Sequence, residues 1–114
     1  MINTNYLDCI EACQACLVDC QNCLMEMAGK KSMNDCPACC VQCVDACTIC
    51  LKMMAGGGKF ATDYCELCAK VCDYCAEQCE AHDHDHCQRC AESCRKCAEA
   101  CRALAQKAVS GNMN

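Results

Sequence analysis

Cysteine recurs along this chain in steps of three and four residues, and that spacing leaves room for little except helices. Four groups carry it: Cys9, Cys13, Cys16, Cys20 and Cys23; then Cys36, Cys39, Cys40, Cys43, Cys47 and Cys50; then Cys65, Cys68, Cys72, Cys75 and Cys79; and last Cys87, Cys90, Cys94, Cys97 and Cys101. Alternating steps of three and four keep a residue on one face of a helix of about 3.6 residues per turn, so each group is the a/d stripe of one helix. Cys39 alone falls beside its stripe, at a g position. Four stripes predict four helices.

The punctuation between groups agrees. Gly29-Lys30-Lys31-Ser32, Gly56-Gly57-Gly58 and His82-Asp83-His84-Asp85-His86 separate them, and connections this short make neighbouring helices antiparallel. Asn34 or Asp35 suits the N-cap of the second helix, with Pro37 in its first turn; Thr62 or a neighbour suits that of the third, and Asp83 or Asp85 that of the fourth. Gly29 and Gly56 suit C-termini. The helices are placed at about 4–28, 34–55, 60–81 and 85–109. The e positions carry Ile10, Leu17, Leu24, Val44 and Leu51 in the first half and Ala69, Ala76, Ala91, Ala98 and Ala105 in the second, while Asp8, Glu11, Glu77, Glu92, Arg95, Lys96 and Glu99 lie off the stripe. The cysteines therefore face inward. The expected fold is all-α: one antiparallel up-down-up-down four-helix bundle spanning residues 1–114, with a cysteine-lined core.

Composition narrows what such a core is for. Of 114 residues 21 are cysteine, with one Phe, three Tyr and no Trp, so sulfur replaces the usual aromatic and aliphatic filling. Ten Lys plus Arg against fifteen Asp plus Glu leave a net charge of −5, which argues against nucleic-acid or anionic-membrane partners. No secretory or twin-arginine signal and no apolar run of about 20 residues is read, so the expected location is cytoplasmic. A reducing compartment keeps thiols free, and an odd number of them cannot all pair internally.

A purely structural role for the cysteines is disfavoured, because small thiols bury less apolar area than leucine and are mediocre helix formers. Disulfide or dithiol chemistry is an alternative, but residues three or four apart on a helix have Cβ atoms about 5–6 Å apart, against about 3.5–4.5 Å in a disulfide. Soft thiolates select Cu(I), zinc or iron–sulfur clusters. About five zinc ions on twenty thiolates would leave about −10 in the core, a heavy burial cost, whereas each thiol exchanging its proton for Cu(I) leaves a neutral unit. A near-linear S–Cu–S unit spans about 4.5 Å if each bond is near the 2.3 Å of zinc thiolates, within reach of thiols on adjacent turns. Iron–sulfur proteins gather their cysteines differently, in one close run plus a remote ligand. Multiple Cu(I) ions, about one per core cysteine, are the favoured cargo; zinc, iron–sulfur and thiol redox readings remain alternatives. No nucleophile, acid–base pair or substrate pocket is read, so no enzymatic activity is expected.

Over about residues 6–104, the run Cys9-x3-Cys13-x2-Cys16-x3-Cys20-x2-Cys23 and its three further stripes resemble the bacterial copper storage proteins, in particular their cytosolic branch. The resemblance implies a four-helix bundle filled with thiolate-bound Cu(I), often a homotetramer, that stores or sequesters copper without catalysis. It carries the ligand role over to the inward cysteines, with Cys39 as the departure from the pattern.

Extending the heptads past the cysteines separates the two ends. One end continues with Met27, Met33, His82 and His86, thioether and imidazole ligands suited to admitting copper; the other continues with Ile2, Tyr6, Met54, Ala61, Leu104 and Ala108, mostly an apolar plug. Leu67, Val71 and Tyr74 form an apolar strip on the flank of the third helix and suggest self-association.

Overall fold

The computed structural model describes the backbone of residues 6–112 and side chains as far as Gln106. Four helices follow in order: α1 (Leu7–Met27), α2 (Ala38–Gly56), α3 (Ala61–Glu80) and α4 (Asp85–Asn112). α1 packs on α2 and α4, and α3 packs on the same two, which is the ring of an antiparallel bundle. Ile2 and Ala108, expected in the apolar plug, lie outside the residues whose side chains are described.

All 21 cysteines are free and buried. The flanking positions divide as the heptads require: Ala69, Ala76, Ala91, Ala98 and Ala105 are buried, while Ile10, Leu17, Leu24, Val44 and Leu51 pack half-buried against the thiol core. Alanines on α3 and α4 let those two helices approach closely, and theirs is the most extensive of the helix contacts. On the outside of this pair, Arg95 bridges Asp73 (3.3 Å) and Glu80 (2.9 Å), and Arg102 also reaches Asp73. Exposed pairs of this kind add little stability; burial does most of the holding. α2 is long and apolar enough to cross a membrane, contrary to the sequence expectation. Much of that apolarity is the cysteine and Met54 face turned into the core.

Three local differences from the sequence reading have physical causes. α2 starts at Ala38 and not near residue 34, because the residue before a proline is pushed out of the α region and Pro37 has no N–H to give. Cys36 is consequently in the preceding turn, its N–H donating to Asn34 Oδ1 at 3.0 Å, yet its side chain still reaches the core. Asn34 thus caps a turn, where a helix cap was expected. At the start of α3 the N-cap position is Phe60, without a side-chain cap, so Thr62 does not serve. At the end of α2 the left-handed residue is Gly57 (φ 64°), one beyond Gly56; Gly57 N–H bonds Met54 O at 3.2 Å and Gly58 N–H bonds Met53 O at 3.1 Å, a Schellman closure.

Packing that rests on aliphatic flanks and short loops does not require a metal to form. The reduced, metal-free protein is therefore expected to give a strongly helical far-UV circular dichroism spectrum. A largely unstructured spectrum would mean that metal binding drives folding.

Candidate metal centre

Antiparallel neighbours place cysteines from all four helices at the same height, and the result is five layers along the bundle axis. From the apolar end these are Cys9/Cys50/Cys65/Cys101, Cys13/Cys47/Cys68/Cys97, Cys16/Cys43/Cys72/Cys94, Cys20/Cys40/Cys75/Cys90 and Cys23/Cys36/Cys79/Cys87. In the outermost layer Cys9 and Cys101 lie with Sγ atoms 3.3 Å apart, as do Cys50 and Cys65. In the central layer Cys16 is 3.6 Å from Cys43, 3.9 Å from Cys72 and 3.7 Å from Cys94. At the other end Cys23 is 3.6 Å from Cys87, and Cys79 is 3.8 Å from Cys36.

Contacts between layers start at 3.5 Å, against 3.2 Å within them, so the two ranges overlap. Cys20 Sγ is 3.5 Å from Cys94, Cys13 is 3.8 Å from Cys101, and Cys79 is 3.7 Å from Cys90. Groups of four sulfurs lying mutually within 4.8 Å therefore overlap: Cys50 and Cys101 belong both with Cys9 and Cys65 and with Cys13 and Cys68. The sulfurs form one continuous column and not a string of separate quartets. Cys39 stands outside the layers. It is fully buried, but its thiol donates to the backbone carbonyl of Cys75 at 4.0 Å, which matches its position beside the stripe.

Crowding of thiols sets their acidity. A thiolate is stabilised when neighbours donate S–H to it, and the donors become correspondingly harder to ionise. Cys16 is lowered by donation chiefly from Cys20 and Cys43, and Cys20 is raised, first by its bond to Cys16. Donation from Cys101 brings Cys13 down to about 6, and donation from Cys40 brings Cys23 down to about 6. Burial acts the other way at the Met/His end. It pushes Cys87 up to about 12, with the Cys23 thiol adding to the effect, and it is also the first cause of the rise at Cys36, followed by negative charge on Cys23.

The four residues expected at the soft-ligand mouth are placed unequally. Met27 is buried over the last layer, at 1% exposure, whereas Met33 stands in the loop at 80%. His86 Nδ1 is 3.5 Å from Cys87 Sγ, directly beside the column. His82 is buried, and its Nε2 lies 2.9 Å from Asn34 Oδ1 and 3.3 Å from Ser32 Oγ. Asn34 Nδ2 in turn donates to Gln78 O at 2.8 Å, Asp35 N–H donates to Gln78 Oε1 at 2.9 Å, and Gln88 Nε2 donates to His82 O at 2.6 Å. The His82 bonds tie the α1–α2 loop to the α3–α4 loop across the mouth, the Gln78 bonds tie the first loop to α3, and Gln88 braces His82 from α4. The roles of Ser32, Gln78 and Gln88 had no signal in the sequence, because they depend on which two loops meet. His84 stacks between its neighbours, 6.4 Å from His82 and 5.2 Å from His86 by ring centres. At the opposite end Met54, Ala61 and Leu104 are buried and Tyr6 packs against the core, as the apolar-plug reading requires.

Residues 2–106 match the family model of the copper storage proteins. The chain belongs to that family. Solved structures of similar fold include Cu(I)-bound copper storage protein BsCsp3, 36% identical over 90% of this chain and 99% of that one, with a TM-score of 0.86. The metal-free copper storage protein 3 of Bacillus subtilis is 38% identical over 88% of this chain and 98% of its own, with a TM-score of 0.79. The Nmul_A1745 protein of Nitrosospira multiformis is 35% identical over 90% and 95%, with a TM-score of 0.78. A further relative, the cysteine-rich protein YhjQ of Bacillus subtilis, is 39% identical over 81 residues, 68% of this chain and 75% of its own.

Proposed function

We propose that this chain stores Cu(I) in the sulfur column, with the cysteines of all five layers as ligands and Cys39 as an accessory thiol at the α2–α3 interface. The observation that carries the reading is the overlap of the four-sulfur groups, in which Cys13, Cys16, Cys43, Cys47, Cys50, Cys68 and Cys101 each belong to more than one group. A ligand shared between sites is a bridging ligand. Cu(I) accepts two or three thiolates and neutralises one charge per ion, so bridged Cu(I) thiolates can fill a column at about one ion per cysteine. Zinc would need each quartet to itself and would leave about two negative charges per site. Thiols in such numbers stay reduced in the cytoplasm, where we place the protein.

The test is an anaerobic Cu(I) titration against a strong competing chelator, with thiols counted in parallel. Saturation near the cysteine count is expected. Saturation at four or five metals, with zinc preferred in competition, would replace the reading with a structural-zinc one.

Copper is proposed to enter and leave past Met27, Met33, His82 and His86. Self-association, as the homotetramer that the family resemblance implies, is proposed to use the flank of α3, where Leu67 and Tyr74 are 54% and 42% exposed and Val71 lies between them. Tyr74 is oriented there by its hydroxyl donating to Asp35 Oδ2 at 2.7 Å. Leu67→Glu, a charge on an exposed position, is expected to lower the mass in solution while leaving the helical spectrum intact. A wild-type chain that is monomeric at micromolar concentration would remove the interface.

A further inference from the structure

The column has a second approach, at the end far from the histidines. A cleft of about 420 Å³ opens between α1 and α4; Ala100 and Ala103 are among its walls, Asp8, Lys96 and Glu99 supply its charges, and it reaches Cys9. Small alanine side chains on α4 are what leave the space. Cys9 is the one cysteine with any exposure, 2% against 0% for the others. A second depression of about 300 Å³ shares Asp8 and Lys96 with it and adds Glu11, Ala12 and Ser93 to its lining. Behind Cys9 the thiol of Cys101 is 3.3 Å away, so whatever reaches the first sulfur has reached the column.

Three properties of the cleft select its ligand. A volume in the lower part of the roughly 300–1,000 Å³ range of small-molecule sites admits a molecule of amino-acid to tripeptide size. Charges of both signs beside one another, Lys96 with Asp8 and Glu99, complement a zwitterion. Among the described residues Lys96 forms one ion pair, exposed, with Glu92 at 3.1 Å, which a carboxylate can replace at little cost. The cysteine among its lining residues is Cys9, so the chemistry a bound molecule could engage there is thiolate exchange on Cu(I).

We propose that this cleft docks a low-molecular-weight zwitterionic thiol and exchanges Cu(I) with it at Cys9. The inference rests on the copper-storage reading and adds a side port to it. In the loading direction a carrier complex RS–Cu–SR meets Cys9–SH: a Cu–S bond to Cys9 forms, one Cu–S bond to the carrier breaks, and the Cys9 proton leaves with the departing RSH. Cys101–SH repeats the exchange, giving Cys9–S–Cu–S–Cys101 and a second RSH. Copper remains Cu(I) throughout. Unloading is the reverse.

The test compares copper transfer under anaerobic conditions from two donors, Cu(I)–glutathione and Cu(I) held by bathocuproine disulfonate, which is too bulky for the cleft. Ala103→Trp fills the cleft from an exposed helix position, and is expected to slow transfer from glutathione about tenfold while leaving the chelator rate and the final capacity unchanged. Lys96→Glu, which removes no packing, is expected to slow glutathione transfer by a similar factor but not transfer from the carboxylate-free thiol cysteamine. Both variants matching the parent with glutathione, at full capacity, would overturn the side port. A parent that holds no copper from either donor would fail the storage reading itself, and is recognised by the missing capacity.

Discussion

Loading the reduced protein with Cu(I) at pH 7 in weak buffer is expected to release about one proton per ion, less a shortfall from thiols already ionised. Cys36 and Cys87 are raised, Cys87 to about 12, so both carry their protons at neutral pH and must surrender them to bind metal. Cys13 and Cys23, lowered to about 6, are largely thiolate at pH 7 and surrender little. The sign of the pH dependence follows. Below its pKa a thiol's copper affinity falls about tenfold per unit of acidification, because metal and proton compete for one sulfur. For Cys36 and Cys87 that loss operates across the whole neutral range, whereas for Cys13 and Cys23 it begins only as the pH drops through about 6. Cys23, Cys36 and Cys87 share the layer at the Met/His end. Acidification from pH 8 to pH 6 should therefore loosen that layer through Cys36 and Cys87 while Cys23 keeps its hold. Proton release followed by a pH indicator, with chelator competition at both pH values, measures this. Loading without proton release would mean that the column is already thiolate, and the burial argument would be wrong.

That behaviour comes from a core whose architecture was legible in the sequence, for a specific reason. A heptad stripe made of one residue type reports helix face, helix number and, with short connections, direction; the five layers follow once Cys9 is paired in height with Cys50, Cys65 and Cys101. Even the e positions were informative: large aliphatics on α1 and α2 and alanines on α3 and α4 are distributed as the core requires. What the heptads could not convey lies where the register stops. Cys36 keeps the spacing of its stripe and on that ground is expected in the helix, yet Pro37 moves it into a turn while burial still brings its thiol to the last layer. His82 and His86 both extend the stripe on paper. In the structure one is bonded to Asn34 and the other touches Cys87, a distinction made by the meeting of two loops. The cleft over Cys9 was equally unreadable, since it is a gap left by Ala100 and Ala103 on one helix against α1.

Filling a bundle axis with thiols also explains why its two ends differ. The column offers similar sulfur contacts from layer to layer, so nothing inside it ranks one position far above the next; direction has to come from the ends. Met54, Ala61 and Leu104 close one end with side chains that hold no proton and, Met54 apart, no metal ligand. The other end is held by hydrogen bonds among Ser32, Asn34, Gln78 and His82, which water can replace at modest cost. An opening is therefore cheaper at the polar end.

Replacing Met27, Met33, His82 and His86 together by alanine is accordingly expected to change the rate of copper exchange by about tenfold or more, with capacity close to that of the parent. All the thiolates remain, so the column still fills. The single variants should separate two effects. His86→Ala removes the imidazole 3.5 Å from Cys87, so an incoming ion loses its last ligand before the thiol layer, and uptake should slow. His82→Ala instead releases Asn34 from the α3–α4 loop, so the mouth loosens, and chelator-driven release should quicken. Met33, exposed in the loop, should matter mainly for the first encounter with the donor. Stopped-flow transfer from a Cu(I)–chelator complex reads all of these. Identical rates in the parent and the quadruple variant would show that these side chains only pack the loops, and entry would then have to be sought near Tyr6 and Met54.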